Sequence, residues 1–191
     1  MNQPNNDLNE QARLAWEIIE TTNTNLFLTG KAGTAKTTFL RRLKNESSKR
    51  IVVVAPTGIA AINAEGVTIH SFFQLSFAPF IPNAQYKLKE QQYKFSRQKI
   101  RVIQSIDTLV IDEISMVRAD LLDAVDAVLR RFRKNQMPFG GVQMVMIGDL
   151  GQLAPVAKDD EWQMLSHYYD TPYFFSSLAL RQTRYAIVEL K

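Results

Sequence analysis

The sequence predicts an α/β fold with a mainly parallel sheet and helices on both of its faces. Three observations carry that expectation. Short apolar runs of strand length recur along the chain, and segments with helical periodicity stand between them. A glycine-containing turn also joins the first strand directly to a helix.

The elements follow in order. Asn9 to Thr21 reads as an amphipathic helix with Leu14, Ile18 and Ile19 toward the core. Leu26 to Thr29 is a short apolar strand, Gly30 to Lys36 a turn, and Thr37 to Leu43 a helix whose basic end suits its dipole. Ile51 to Ala55 is a buried strand broken by Pro56-Thr57-Gly58, with a short helix from Ile59 to Ala64. Val67 to Phe73 leads into a second short helix, Pro79 and Pro82 mark a loop, and Gln85 to Val102 is polar, basic and partly helical. Thr108 to Ile111 is a third strand, Ala119 to Phe132 a helix through Leu122, Val125 and Leu129, and Pro138 to Gly141 a turn. Gln143 to Ile147 is a fourth strand, and Tyr173 to Phe175 and Tyr185 to Leu190 read as late strands. No repeat or low-complexity segment interrupts the 191 residues, which suit one domain with residues 1–8 as a flexible tail.

Hydrophobic residues make up 46% and charged residues 22%, ordinary values for a globular protein. Without cysteine the chain has no disulfide framework. Its Asn-rich start lacks the apolar stretch of a signal peptide, and no apolar run is long enough to span a bilayer. The expected setting is cytoplasmic (bacterial-type, nucleoid-associated) or nuclear, without secretion or membrane contact.

The net charge of +4 is modest, but its placement is clustered. One group is Arg41, Arg42, Lys44, Lys49 and Arg50; a second is Lys87, Lys89, Lys94, Arg97, Lys99 and Arg101; a third is Arg130, Arg131, Arg133 and Lys134. Each alone reads equally well as a solvated face, and together they favour a polyanionic partner.

Gly30-Lys31-Ala32-Gly33-Thr34-Ala35-Lys36-Thr37, with Thr38 following, lies between an apolar strand and a helix. That is the setting of a phosphate-binding loop: backbone N–H groups surround phosphate oxygens and the helix N-terminus adds its dipole. Lys36 would reach the β- and γ-phosphates of ATP, and the Thr37 hydroxyl would hold Mg²⁺. The second glycine of the pattern is replaced by Ala35; if that position needs φ > 0, alanine costs about 1–2 kcal/mol.

Leu109-Val110-Ile111 ends in Asp112-Glu113. An acid pair after a strand is by itself more often a helix-capping turn. Downstream of a phosphate loop it points instead to Asp112 as a Mg²⁺ ligand and to Glu113 as the base for the attacking water. Met144 to Ile147 ends in Gly148-Asp149-Leu150-Gly151-Gln152, where Gln152 suits a γ-phosphate sensor. All three groups follow strands, and open α/β sheets bind ligands at the carboxyl ends of their strands.

With these motifs in place, the chain resembles the Pif-type DNA helicases, relatives of RecD in class B of superfamily one, from about Leu8 to Lys191. Leu8-Asn9-Glu10-Gln11 resembles the adenine-reading Q motif, which implies Gln11 on the base. Gly30 to Thr37 resembles motif I. Ala55-Pro56-Thr57-Gly58-Ile59-Ala60-Ala61 with Gly66-Val67-Thr68-Ile69-His70-Ser71-Phe72 resembles motif Ia and its extension. Ile111 to Met116 resembles motif II, and Gly148 to Val156 resembles motif III, with Ala154 where proline is usual.

The resemblance implies a RecA-like P-loop NTPase fold, ATP and Mg²⁺ as cofactors, and 5′-to-3′ movement on single-stranded DNA. It implies that Thr57, Thr68, His70 and Ser71 contact phosphate or sugar and that Phe72 stacks on a base, although composition alone favours Phe72 as core. It also implies a second RecA-like domain, with arginine fingers, C-terminal to Lys191. Two other readings stay open: a P-loop ATPase of another type, such as AAA+, and an ATP-binding module with little or no turnover.

Overall fold

A computed structural model describes residues 9–82 and 95–191. Leu8, the tail 1–8, and Lys87, Lys89 and Lys94 lie outside the described residues, as does the first part of the basic stretch from Gln85.

The strands β1 (Asn25–Gly30), β2 (Ile51–Ala55), β3 (Val67–Thr68), β4 (Thr108–Ile111), β5 (Gln143–Gly148) and β6 (Tyr185–Leu190) form one six-stranded sheet in the order β3-β2-β4-β5-β1-β6. Every pairing in it is parallel. A parallel sheet needs crossovers. The helix α1 (Glu10–Thr21) precedes the first strand, and the connections are supplied by α2 (Lys36–Glu46), α3 (Gly58–Asn63), α4 (Ile69–Phe73), α5 (Arg97–Ser105), α6 (Ala119–Arg133), α7 (Asp159–Leu165) and α8 (Leu178–Arg181).

Alternation along the strands divides the core between the two faces. Leu26, Leu28, Val53, Val110, Val145 and Ile147 meet Ala15 and Ile19 of α1 and Phe39, Leu40 and Leu43 of α2. Phe27, Val54, Leu109, Ile111, Met144 and Met146 turn the other way, onto α4, α5 and α6. The central strands β4 and β5 are buried throughout, which is why they read as unbroken apolar runs.

Several expectations need correction. Leu14 is 50% exposed: the buried stripe of α1 is Ala12, Ala15 and Ile19, and Leu14 lies off it. Tyr173 to Phe175 is not a strand. It makes one isolated bridge, Tyr173 to Arg118, and turns into a single 3-10 turn at Phe174–Ser176, where the Tyr173 and Phe175 rings stack at 5.3 Å. The two-residue strand β3 and the helices α7 and α8 carried too little periodicity to be read. Leu122, Val125 and Leu129 of α6 are buried as expected.

Four of the five residues of the first basic group have internal partners, while Arg41 is exposed. Arg42 pairs with Glu46, Lys44 with Glu65, and Arg50 with Asp107, while Lys49 donates to the Thr22 carbonyl and to Gln143.

Candidate nucleotide and DNA site

The register sets the ends of the central strands side by side. Ile111 of β4 faces Met146 of β5, and Gly148 of β5 faces Thr29 of β1. The phosphate loop, the acid pair and the Gly148–Gln152 turn therefore leave the sheet from three adjacent strands. Close approach tightens this edge: a Cβ on Gly148 would sit 2.9 Å from Ile114 Cγ2 and 3.1 Å from its backbone nitrogen.

The loop itself is built by backbone geometry. Gly33 has φ +85 with open space where a Cβ would lie. Ala35 stands at φ 61, ψ 20, so this alanine does occupy the left-handed conformation that glycine would hold freely. Ala35 caps α2 without a side-chain hydrogen bond, and Thr37 and Thr38 are exposed in the first turn. The turn's unsatisfied N–H groups are thus left for an anion, the arrangement ATP phosphates require. Lys36 bends over the loop, where its Nζ donates to the Lys31 carbonyl at 2.9 Å and to the Gly30 carbonyl. Lys31 and Ala32 are exposed, and the Thr34 hydroxyl also donates to the Lys31 carbonyl, at 2.8 Å.

Electrostatics tie the three segments together. Burial pushes the Asp112 carboxyl up to about 6; the Glu113 N–H, 3.0 Å from Asp112 Oδ1, opposes this, the Glu113 charge adds to it, and the Lys36 charge opposes it. Asp149 is held below the usual carboxylate range by hydrogen bonds from the Gly151 N–H and from Gln152 Nε2, with the Lys36 and Lys31 charges contributing. Glu113 has φ 52, ψ 43, a strained conformation for a non-glycine residue at a strand end.

These residues fit a nucleotide and its metal. Among the described residues no group of three or more His, Cys, Asp or Glu side chains forms a metal cage. A Mg²⁺ here would depend on phosphate oxygens and water beside Thr37 and Asp112, the usual manner for that ion. Gln11 sits half-buried in the first turn of α1, which Asn9 caps by accepting from the Ala12 N–H at 2.8 Å.

The residues expected on DNA lie along β2, β3 and the helices that follow them. Thr57 caps α3 and Thr68 caps α4 through their side-chain oxygens, leaving each hydroxyl hydrogen free to donate outward. Ser71 is exposed. Phe72 is a core residue at 7% exposure, with Phe73 against it edge to face and the Lys99 ammonium over its ring. Burial of that ring leaves no face for a base, so the stacking expectation does not fit Phe72. The exposed aromatic is Phe77, at 83%, stacked on His70 with centroids 4.5 Å apart and planes 23° from parallel. The pair lines a cavity of about 280 Å³ together with Thr57, Arg118, Ala154 and Val156. Burial and the Arg118 charge hold His70 below its usual pKa, against the pull of Asp120. Phe77 lies in a loop with no periodicity to single it out, and only folding shows that its ring is outside.

A parallel sheet of this order with a phosphate loop after β1 and an acid pair after β4 defines a RecA-like P-loop NTPase domain. A family model described as PIF1-like helicase matches residues 7–169, and the chain belongs to that family. It is 41% identical over 140 residues to the ATP-dependent DNA helicase PIF1 of Saccharomyces cerevisiae, covering 71% of this chain and 16% of the relative. To the human ATP-dependent DNA helicase PIF1 it is 36% identical over 153 residues, covering 80% and 23%. The crystal structure of a Bacteroides Pif1 helicase in complex with ADP-AlF3 and single-stranded DNA superposes with a TM-score of 0.89 at 46% identity, over 96% of this chain and 42% of that one. The chain thus spans less than a quarter of these curated relatives and less than half of the solved one. No helix among the described residues is long and apolar enough to cross a membrane.

Proposed function

We propose that residues 1–191 form one RecA-like domain, the ATP-binding motor domain of a helicase that moves 5′ to 3′ on single-stranded DNA. The observation that carries this reading is the adjacency of β4, β5 and β1, whose ends hold Asp112-Glu113, Gly148–Gln152 and the phosphate loop.

In this reading the first-turn N–H groups of α2 and the loop from Gly30 to Thr37 bind the phosphates, and Gln11 meets the adenine. Lys36 exchanges its carbonyl partners for β- and γ-phosphate oxygens. Thr37 and Asp112 would hold Mg²⁺, which would supply neutralisation of phosphate charge. Glu113 takes a proton from the attacking water, and Gln152, seated on Asp149, orients toward the γ-phosphate. Thr57, Thr68 and Ser71 donate to the DNA backbone, and Phe77, backed by His70, offers a ring to a base. A second RecA-like domain beyond Lys191 supplies arginine fingers and the surface against which the strand is stepped; the cellular setting is wherever DNA is kept, the bacterial cytoplasm or a nucleus.

The experiment is nucleotide binding and turnover by residues 1–191, with and without single-stranded DNA. Expected are Mg²⁺-dependent ATP binding, measurable DNA binding and slow turnover, since an arginine finger contributes about 10³–10⁵ in rate. Absence of nucleotide binding would overturn the reading. Fast turnover indifferent to DNA would favour a P-loop ATPase of another type.

A further inference from the structure

The described part of the second basic group and the third group, separated along the chain, lie on helices that pack together. α5 contains Arg97, Lys99 and Arg101, with no acid between Phe95 and Ile106; the end of α6 contains Arg131, Arg133 and Lys134, with no acid between Arg130 and Gly148. The two are locked together. Gln104 Nε2 donates to the Phe132 carbonyl at 3.1 Å, and the Phe95 and Phe132 rings lie 4.6 Å apart. Arg133 donates to the carbonyls of Ile103, Gln104 and Ile106 at 2.9–3.0 Å, which spends one cation on fixing the end of α5.

Arg97 and Arg101 are exposed, four residues apart on one flank of α5, the flank that carries Gln104 toward α6. Among the described residues neither has a hydrogen-bond or ion-pair partner. Arg131 and Lys134 are exposed at the end of α6, the end that Gln104 and Arg133 fasten to α5. Arg97 and Arg101 thus differ from Arg42, Lys44, Lys49 and Arg50 of the first basic group, which have internal partners.

We propose that this α5–α6 surface binds the phosphate backbone of duplex DNA, apart from the strand contacts around Thr57, Thr68 and Phe77. It rests on the reading of the chain as a DNA-acting protein. The shape of the surface favours a duplex over a single strand. A sequence-tolerant single-strand track pairs its cations with exposed rings on which bases stack. Here the aromatic residues, Phe95 and Phe132, face each other and the core. What remains outside is a convex helix with guanidinium groups rising about 6 Å apart along its axis, able to reach phosphates and nothing behind them. Duplex DNA offers the denser target, about one charge per 1.7 Å. At the other side of α5, Lys99 Nζ donates to the Ser71 carbonyl at 3.0 Å, so the surface is fastened to the helix that Thr68 caps. A duplex resting on α5 would therefore adjoin the strand path.

The test compares residues 1–191 with the Arg97→Gln/Arg101→Gln variant by fluorescence anisotropy against a blunt duplex and a poly-dT strand, across a salt series. Expected is a loss of duplex affinity of about twofold to thirtyfold, as for two exposed charge pairs. The duplex salt slope should fall by about 1.8, from about 0.9 per cation, while poly-dT binding and thermal stability hold. Unchanged duplex affinity and slope, or no duplex binding by the parent, would overturn the assignment. An equal loss on poly-dT would overturn it too, assigning α5 to the single-strand track. Absence of poly-dT binding by the parent would instead strike at the proposed function.

Discussion

The Nζ of Lys36 lies 2.9 Å from the carbonyl oxygen of Lys31 and also reaches that of Gly30, so the loop satisfies the lysine with its own carbonyls. Lys36→Ala removes a charge-assisted phosphate contact of about 1.5–3 kcal/mol and releases the two carbonyls to water. The expected outcome is a rise in the ATP dissociation constant of about 10- to 150-fold by calorimetry, with little change in stability. Equal affinity in both proteins would remove the phosphate-loop assignment.

Ala35 at φ 61 holds a conformation that costs a non-glycine residue about 1–2 kcal/mol. Glycine would relieve that cost while giving back about 0.5–1 kcal/mol through the freer unfolded chain. Relief is the larger effect, so Ala35→Gly should stabilise by about 0.5–1 kcal/mol. In a domain of this size that is a melting shift of about 1–4 °C. A lower melting temperature would mean that the backbone here is not strained.

Glu113 follows Asp112 at the end of β4, and its own N–H binds the Asp112 carboxylate at 3.0 Å. A base in that place should be separable from binding. In a full-length helicase carrying this domain, Glu113→Gln should slow hydrolysis by about 10²–10⁴-fold and leave ATP affinity largely intact. Near-normal turnover would move the role to another residue.

The parts of the fold legible in the sequence were those whose signal is local. β4 and β5 are short apolar runs because both their faces are covered, and their ends are marked by acids or glycine. α6 announced itself because the Leu122, Val125 and Leu129 spacing, about two turns on one face, is hard to mistake. Tyr173 to Phe175 had strand composition but no strand edge to join, and nothing local reveals that. Leu14 failed for a related reason. The small residues Ala12 and Ala15 let α1 sit close to the sheet, so the larger side chain is left outside. In the site, glycine-rich turns and strand-end carboxylates were legible because the chemistry needs contiguous residues. That Phe72 is buried and Phe77 exposed was not, since it depends on which ring α5 covers.

The Arg50–Asp107 pair gives a pH test away from the site. The Arg50 guanidinium bonds Asp107 at 2.7 and 2.9 Å and holds its carboxyl down to about 2, with burial opposing. A depressed carboxylate stabilises the fold above its unfolded value near 3.8, and that stability is lost as pH falls toward about 2. Both side chains are well exposed, so solvent screening keeps the contribution small. Asp107→Asn should therefore lower stability slightly at pH 7, and the gap should close between about pH 4 and pH 2 in denaturant melts. A gap that persists at pH 2 would assign the effect to packing.

Under the proposed function, Phe72 and Phe77 separate folding from DNA contact within one short segment. Phe72 lies in the core under Lys99, whereas Phe77 is held outside by its stack on His70. Truncating a buried phenylalanine costs about 3–5 kcal/mol, so Phe72→Ala should lower the melting temperature steeply and weaken DNA binding only through unfolding. Truncating the exposed ring removes a stacking surface worth about 1–3 kcal/mol per base and little of the fold. Phe77→Ala should thus weaken poly-dT binding by about 5- to 150-fold at an unchanged melting temperature. The contact is with a base face, not a phosphate, so its salt slope should match that of the parent, unlike the arginine variants of α5. Phe77→Trp should restore affinity, because a larger ring keeps the platform. Unchanged binding in Phe77→Ala, with Phe72→Ala folded but DNA-deficient, would return the stacking role to Phe72 and require α5 to move aside when DNA binds.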